Sequence, residues 1–150
     1  VQFKYDEGFL TGDGIKGQKR AKRLVRLSKI SMGLLSIPFV RSLLTRYVFP
    51  KPGEGPSLDE QNSGFYDFRF LGRTQQGDEI RVKLLGDKDP GYGSTAKMLA
   101  QAGISLVRDI GKEEVSGGFW TPASIFNDDF TNRLIMNAGL SFEVLSTVRG

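Results

Sequence analysis

The stretch Gly86 to Leu99, GDKDPGYGSTAKML, contains the residues most suggestive of chemistry. Gly91, Gly93 and Ala96 spell G-x-G-x-x-A, a permitted form of the dinucleotide-binding fingerprint. That fingerprint works where a buried parallel strand turns directly into a helix whose free N–H groups meet a pyrophosphate, with an acid about 20 residues on for the ribose. Here the preceding segment alternates apolar residues with Arg81 and Lys83, the tetrapeptide DKDP intervenes, and no hydrophobic strand ending in an acid follows. The phosphate loop G-x-x-x-x-G-K-[ST] fails too. The expectation is that the glycines let a helix start pack closely on its neighbours and that this segment binds no cofactor. The competing reading is that the helix start, with Tyr92, Ser94 and Thr95, faces a ligand across its N-terminal N–H groups.

Other chemistry is bounded by composition. The 150 residues include no Cys and no His, which removes thiol nucleophiles, Cys/His zinc sites and a Ser-His-Asp triad. An acid or base would have to be Asp, Glu, Lys or Tyr. Asp87 and Asp89 could pair for acid–base work, but capping and turn formation account for them more simply. Trp120 precedes a capped helix start at Thr121; it is either a core aromatic or, with Thr121, part of a cleft wall. No metal site and no identifiable catalytic residue emerge.

The elements that would position these residues follow from periodicity. Val1, Phe3 and Tyr5 alternate, which predicts a short strand, and a glycine-rich loop follows. Residues 16 to 35 predict a helix with Ala21, Leu24, Val25, Ser28, Met32 and Leu35 on one weakly apolar face. Pro38 interrupts, so a second helix begins there. FPKPGEGPSLDEQNSG reads as a turn-rich connection. Tyr66, Phe68 and Phe70, then Ile80, Val82 and Leu84, alternate with polar residues and predict an antiparallel hairpin over 65–86. A helix from about Pro90 to Val107, N-capped by Asp89, should bury Ala96, Leu99, Ala102, Gly103 and Leu106. DIGKEEVSGG reads as an acidic loop. A last helix begins at Thr121-Pro122, packs Phe126, Phe130 and Leu134, and stops at Gly139. LSFEVL closes as a strand. The fold class is α+β: a largely antiparallel or mixed sheet covered by helices, in one domain with a helical basic part at about 14–50 and a sheet–helix part at about 56–148.

Charge is unevenly placed. Residues 1 to 51 hold 11 Lys/Arg and 3 Asp/Glu, whereas the remainder holds 10 and 14. Lys16, Lys19, Arg20, Lys22, Arg23, Arg26 and Lys29 lie within fourteen residues without an acid. They are either a solvated helix face, or one that offsets the acidic half of the domain, or part of a non-catalytic module over 16–49 that docks on an anionic membrane surface beside the apolar run to Phe49 or forms a subunit interface. That run, from Ile30 to Phe49, is long enough to cross a bilayer, but Arg41 and Arg46 would each cost about 2.5–3.5 kcal/mol at its centre. Nucleic-acid binding is not expected, because basic and aromatic residues are poorly interleaved.

Three blocks together, FPKPGEGPSLDEQNSGFYDFRFLGR, GDKDPGYGSTAKML and GGFWTPASIFNDDFTNRLIMNAGLSFEVL, resemble the C-terminal half of the saccharopine dehydrogenase-like oxidoreductases, in the branch of the trans-acting enoyl reductases. The resemblance covers roughly residues 38 to 145. It implies an α+β domain that helps to form the substrate side of a cleft and a subunit contact, as in a homodimer. It also implies that NAD or NADP is bound in the parent protein by an N-terminal Rossmann domain. The absence of that block, and Val at position 1, suggest an excised C-terminal domain, inactive alone and cytoplasmic or peripheral to a membrane. No catalytic role transfers to a residue of this chain.

Overall fold

The computed structural model describes residues 3–150 except 112 and 114. It divides into two compact units, Val1–Glu54 and Gly55–Gly150.

The first unit is helical. The expected first strand is absent: Phe3 and Tyr5 are exposed in irregular chain, and Val1 lies outside the described residues. Alternation alone cannot make a strand without a partner to share its backbone hydrogen bonds. Helix α1 runs Gly14–Leu35 and α2 runs Pro38–Tyr47. Proline cannot continue α1, and it holds Ile37 extended; its own missing N–H is harmless at the first position of α2. The two helices meet at 100°. No single helix is long and apolar enough to cross a membrane. Gly17 is the one buried residue of α1, and α2 has none. The predicted apolar face of α1 is therefore largely uncovered: Leu24, Val25 and Met32 are all exposed.

The second unit is α+β. Within the turn-rich connection lies a short helix not anticipated above, α3 (Leu58–Ser63). Its signal is the Ser57-x-x-Glu60 capping box, in which the Ser57 N–H donates to Glu60 Oε2 at 2.8 Å and the Glu60 N–H to Ser57 Oγ at 3.2 Å. Strands β1 (Tyr66–Arg73) and β2 (Glu79–Gly86) form the predicted hairpin, and β3 (Leu140–Val148) pairs with the other edge of β2. The order β1-β2-β3 is antiparallel throughout. Register places Tyr66 opposite Gly86 and Gly86 opposite Leu140, Phe68 opposite Leu84 and Leu84 opposite Phe142, and Phe70 opposite Val82 and Val82 opposite Val144. One face is thus apolar. The other carries the ion pairs Asp67–Arg69, Arg73–Glu79 and Lys83–Glu143.

Helices α4 (Gly93–Arg108), α5 (Pro122–Ile125) and α6 (Asp128–Ala138) complete the unit. Helix α4 begins three residues later than expected, and its buried positions differ. Ser94 and Ser105 are buried, whereas Leu99 is 72% and Leu106 48% exposed. The expected last helix is two, broken at Phe126 and Asn127; Asn127 Oδ1 accepts from the Asp129 N–H at 3.0 Å and restarts it. Gly139, at φ 72°, ends α6 in the left-handed conformation. The core is small: Leu134, Ala138 and Leu140, with Leu84, Met98 and Phe130 against them. It covers the end of the apolar sheet face nearest Gly86 and Leu140. The acidic loop expected at 109–118 includes residues 112 and 114, which lie outside the described residues.

Candidate functional site

The glycine turn is closed by its own aspartate. Asp89 does not precede the helix as a simple N-cap; its carboxylate folds forward and accepts three backbone N–H groups, from Gly91 at 2.9 Å, Tyr92 at 3.1 Å and Gly93 at 2.6 Å. The Asp89 carbonyl accepts the Ser94 N–H at 2.9 Å. These bonds to the charged form, led by that from Gly93, hold the Asp89 carboxyl below its ordinary range. The amides a phosphate would need are therefore already bonded to a resident anion. The glycines fit closely: a Cβ on Gly93 would lie 3.1 Å from Asp89 Oδ2 and 3.2 Å from the Gln61 carbonyl oxygen, and one on Gly91 3.2 Å from Asp89 Oδ1, so a side chain at either would press its neighbours by a few tenths of an ångström. The preceding strand, β2, is antiparallel to both neighbours, so the parallel strand-to-helix turn of the dinucleotide fingerprint is not formed.

The expected cleft residues separate. Ser94 is fully buried, and its Oγ lies 2.8 Å from the Tyr66 hydroxyl, so it points into the fold and lines no cleft. Tyr66 lies across Gly86, where any side chain would collide with the ring. Thr95 Oγ1 donates to the Pro90 carbonyl at 2.6 Å. Tyr92 is 55% exposed, its ring beside Gly55. Trp120 is neither core nor enclosed: it is 48% exposed, and its indole N–H donates to the Ser116 carbonyl at 3.0 Å. The Thr121 N–H donates to Ser124 Oγ at 3.0 Å. Among the described residues no hydrogen bond or ion pair joins residues 92–95 to 120–121.

Asp87 and Asp89 do not act as a pair. The Asp87 carboxylate takes both oxygens to Lys97 Nζ, at 2.9 and 3.0 Å, while Asp89 serves the turn. A second tie was not visible in the sequence. Arg133 of α6 grips Asp109, at the end of α4, through two bonds of 2.8 and 2.9 Å, and Ser105 Oγ donates to Asp109 at 2.6 Å. The Ser105 bond and the guanidinium hold the Asp109 carboxyl low. Asp109 and Arg133, with Asp129, Asn132, Met136 and Asn137, line an open cavity of about 550 Å³. Partners 24 residues apart on different helices leave no periodic trace. No cluster of His, Cys, Asp or Glu among the described residues could hold a metal ion.

What the second unit does offer is surface. Beyond the core, the apolar sheet face is uncovered: Phe68 is 50%, Phe70 52%, Phe142 41% and Val144 61% exposed. The rings of Phe68 and Phe70 are 6.3 Å apart and continue the row begun by Tyr66. At roughly half of 150–250 Å² per ring, the three phenylalanines alone expose about 300 Å², within the range of the largest apolar patch on an ordinary monomer, a patch that is often functional. The chain as a whole exposes 12841 Å². Two separate compact bodies of these two lengths would expose about 9,000 Å². Large hydrophobic side chains contribute to the excess in both units, among them Phe9 and Phe39 in the first and Phe68 and Phe70 in the second.

The geometry defines a small α+β unit with an open aromatic sheet face and no assembled catalytic group among the described residues. Comparison with known proteins supplies the relationship. A trans-acting enoyl reductase of Mycobacterium tuberculosis is 32% identical over 135 residues, covering 89% of this chain and 32% of its own length. A second protein of that species, provisionally named as a trans-acting enoyl reductase, is 34% identical over 100 residues, 67% of this chain and 24% of its own. A provisionally named mitochondrial saccharopine dehydrogenase-like oxidoreductase of Arabidopsis thaliana is 32% identical over 140 residues, 82% of this chain and 29% of its own. No protein-family model matches the chain, and no solved structure matches it. The chain belongs with the saccharopine dehydrogenase-like oxidoreductases, in the trans-acting enoyl reductase branch, as its three sequence blocks suggest. It spans about a quarter to a third of the length of these relatives.

Proposed function

We propose that the chain is the C-terminal, substrate-side domain of an NAD- or NADP-dependent oxidoreductase, contributing a cleft wall and a subunit contact and no catalysis of its own. The observation that carries this reading is the uncovered aromatic sheet face in a chain related to oxidoreductases about three times its length. Such a face needs a partner surface, and in this reading the partners are the protein's own nucleotide-binding domain and a second subunit. The hydride chemistry belongs to the nicotinamide, and the domain that holds it aligns it against the substrate. The turn at Gly91–Gly93, its amides bonded to Asp89, is structural in this reading. Of the expected cleft residues, Tyr92, Trp120 and Thr121 keep exposed surface that can line a wall, and Ser94 supports the wall from within.

Fluorescence titration of the chain with NADPH tests the reading. No saturable binding is expected. Saturable micromolar binding would mean that the chain carries a cofactor site of its own, and the reading would fall.

A further inference from the structure

We propose that α1 and α2 dock on an anionic lipid surface, with the cations of α1 against the headgroups and the apolar faces of the two helices in the interface. This is independent of the oxidoreductase reading and rests on the first unit alone.

From residue 14 to residue 51 the chain holds ten Lys/Arg and no Asp/Glu. Seven of the ten fall in α1, all of them exposed. None of the ten forms an ion pair among the described residues.

Nor do these cations serve the helix. A helix gains from acids in its first turn and cations in its last. Helix α1 has no acid in its first turn and no cation in its last. Lys16 sits in the first turn, where the dipole opposes a cation, and Lys16, Lys19 and Arg23, like Lys22 and Arg26, repel one another at spacings of three and four. An arrangement that costs the isolated helix stability is relieved by an anionic partner.

The remaining surface selects which anionic partner. The face of α1 opposite the cations carries Ala21, Leu24, Val25, Ser28 and Met32, and Leu24, Val25 and Met32 are between 49% and 68% exposed. Beyond Lys29 the helix is apolar on every side, as ISMGLL. Helix α2 places Phe39, Leu43 and Tyr47 on one face, exposed at 77%, 49% and 69%. A cationic face beside an open apolar face is the pattern of a helix lying in the headgroup–acyl boundary. Nucleic acid would use the cations and leave the apolar residues in water. No single helix is long and apolar enough to cross a bilayer; α1 and α2 reach that length and composition only together, across a bend of 100°, and a crossing would carry Arg41 and Arg46 into the hydrocarbon at about 2.5–3.5 kcal/mol each at its centre.

The test is co-sedimentation of the chain with vesicles of phosphatidylcholine, with and without about one-third phosphatidylserine, at low salt and at about 1 M salt, where the screening length falls to about 3 Å. The expected result is binding to the anionic vesicles only, weakened at least tenfold by salt. Charge reversal by Lys19→Glu, Arg23→Glu and Arg26→Glu together should weaken it at least tenfold. Replacement of Lys19, Lys22 and Lys29 by Arg keeps the charge and should leave binding within about twofold. Leu24→Asp with Met32→Asp should weaken binding while leaving the cations in place. Equal pelleting with both vesicle types, no pelleting at low salt, or undiminished binding by the charge-reversed chain would overturn the proposal. So would salt-sensitive binding to single-stranded DNA, or self-association, without vesicle binding.

Discussion

Ser94 lies on a helix start that the sequence offers as ligand-facing, yet the structure gives it a structural job that a double-mutant cycle can measure. Its side chain is fully buried, and its Oγ lies 2.8 Å from the hydroxyl of Tyr66, which is 9% exposed. Ser94→Ala leaves the Tyr66 hydroxyl desolvated without this partner. Tyr66→Phe does the same to Ser94 while keeping the ring over Gly86. Stranding a buried hydroxyl costs about 1–3 kcal/mol, so each single variant should lose about that much. In the double variant nothing is stranded, and the loss should be smaller than the sum by roughly 1–2 kcal/mol. For a unit of under 100 residues each kilocalorie is about 4–8 °C in Tm. Urea and thermal unfolding followed by far-UV circular dichroism would read all four proteins. Singles that add to within about 0.5 kcal/mol in the double would show that the hydroxyls are not coupled. A Ser94→Ala chain as stable as the native one would refute the argument at its first step.

Further outcomes follow from the same geometry. Glu60, Asp89 and Asp109 have folded-state pKa values depressed by hydrogen bonds, led by those from Ser57, Gly93 and Ser105 respectively. Groups depressed on folding stabilise fully above their unfolded values, and that stability is lost as pH falls through the folded ones. The urea midpoint should therefore hold from neutrality down to about pH 4–5 and fall below it; a midpoint that rises on acidification would contradict the assignment. Gly139→Ala puts a side chain at φ 72° and into the Asp87 carboxylate, and should cost about 1–3 kcal/mol; an unchanged urea midpoint would show that the cap tolerates it. Light scattering at two concentrations should show reversible self-association through the open sheet face, and a strict monomer would remove the support for a subunit contact in this chain.

The sheet was the most legible element. Its strands alternate with period two, and Tyr66, Phe68 and Phe70 share a face with Val82, Leu84, Phe142 and Val144 as the pattern requires. The helices were legible as helices and less so in their ends. Pro90 promised a first turn, but the Asp89 side chain claimed the next three amides and moved the start of α4 to Gly93. The buried stripe of α4 was misread for a related reason. Hydrophobicity favoured Leu99 and Leu106, whereas the face turned inward carries Ser94 and Ser105, whose hydroxyls find Tyr66 and Asp109.

By itself the sequence determined the fold class, the hairpin, the basic helix, the proline break and the relationship to the saccharopine dehydrogenase-like oxidoreductases. All of these are written in neighbouring residues or in contiguous blocks: a period, a cap, a charge run, a motif. Only the tertiary structure decided that the glycine turn is closed by Asp89, that Ser94 faces inward, that Arg133 holds Asp109, and that the aromatic sheet face is half uncovered. Each of these depends on what lies opposite a residue in space. Local pattern fixes which way a side chain can point along its own element, but burial and pairing are set by elements tens of residues away, and no periodicity reaches that far.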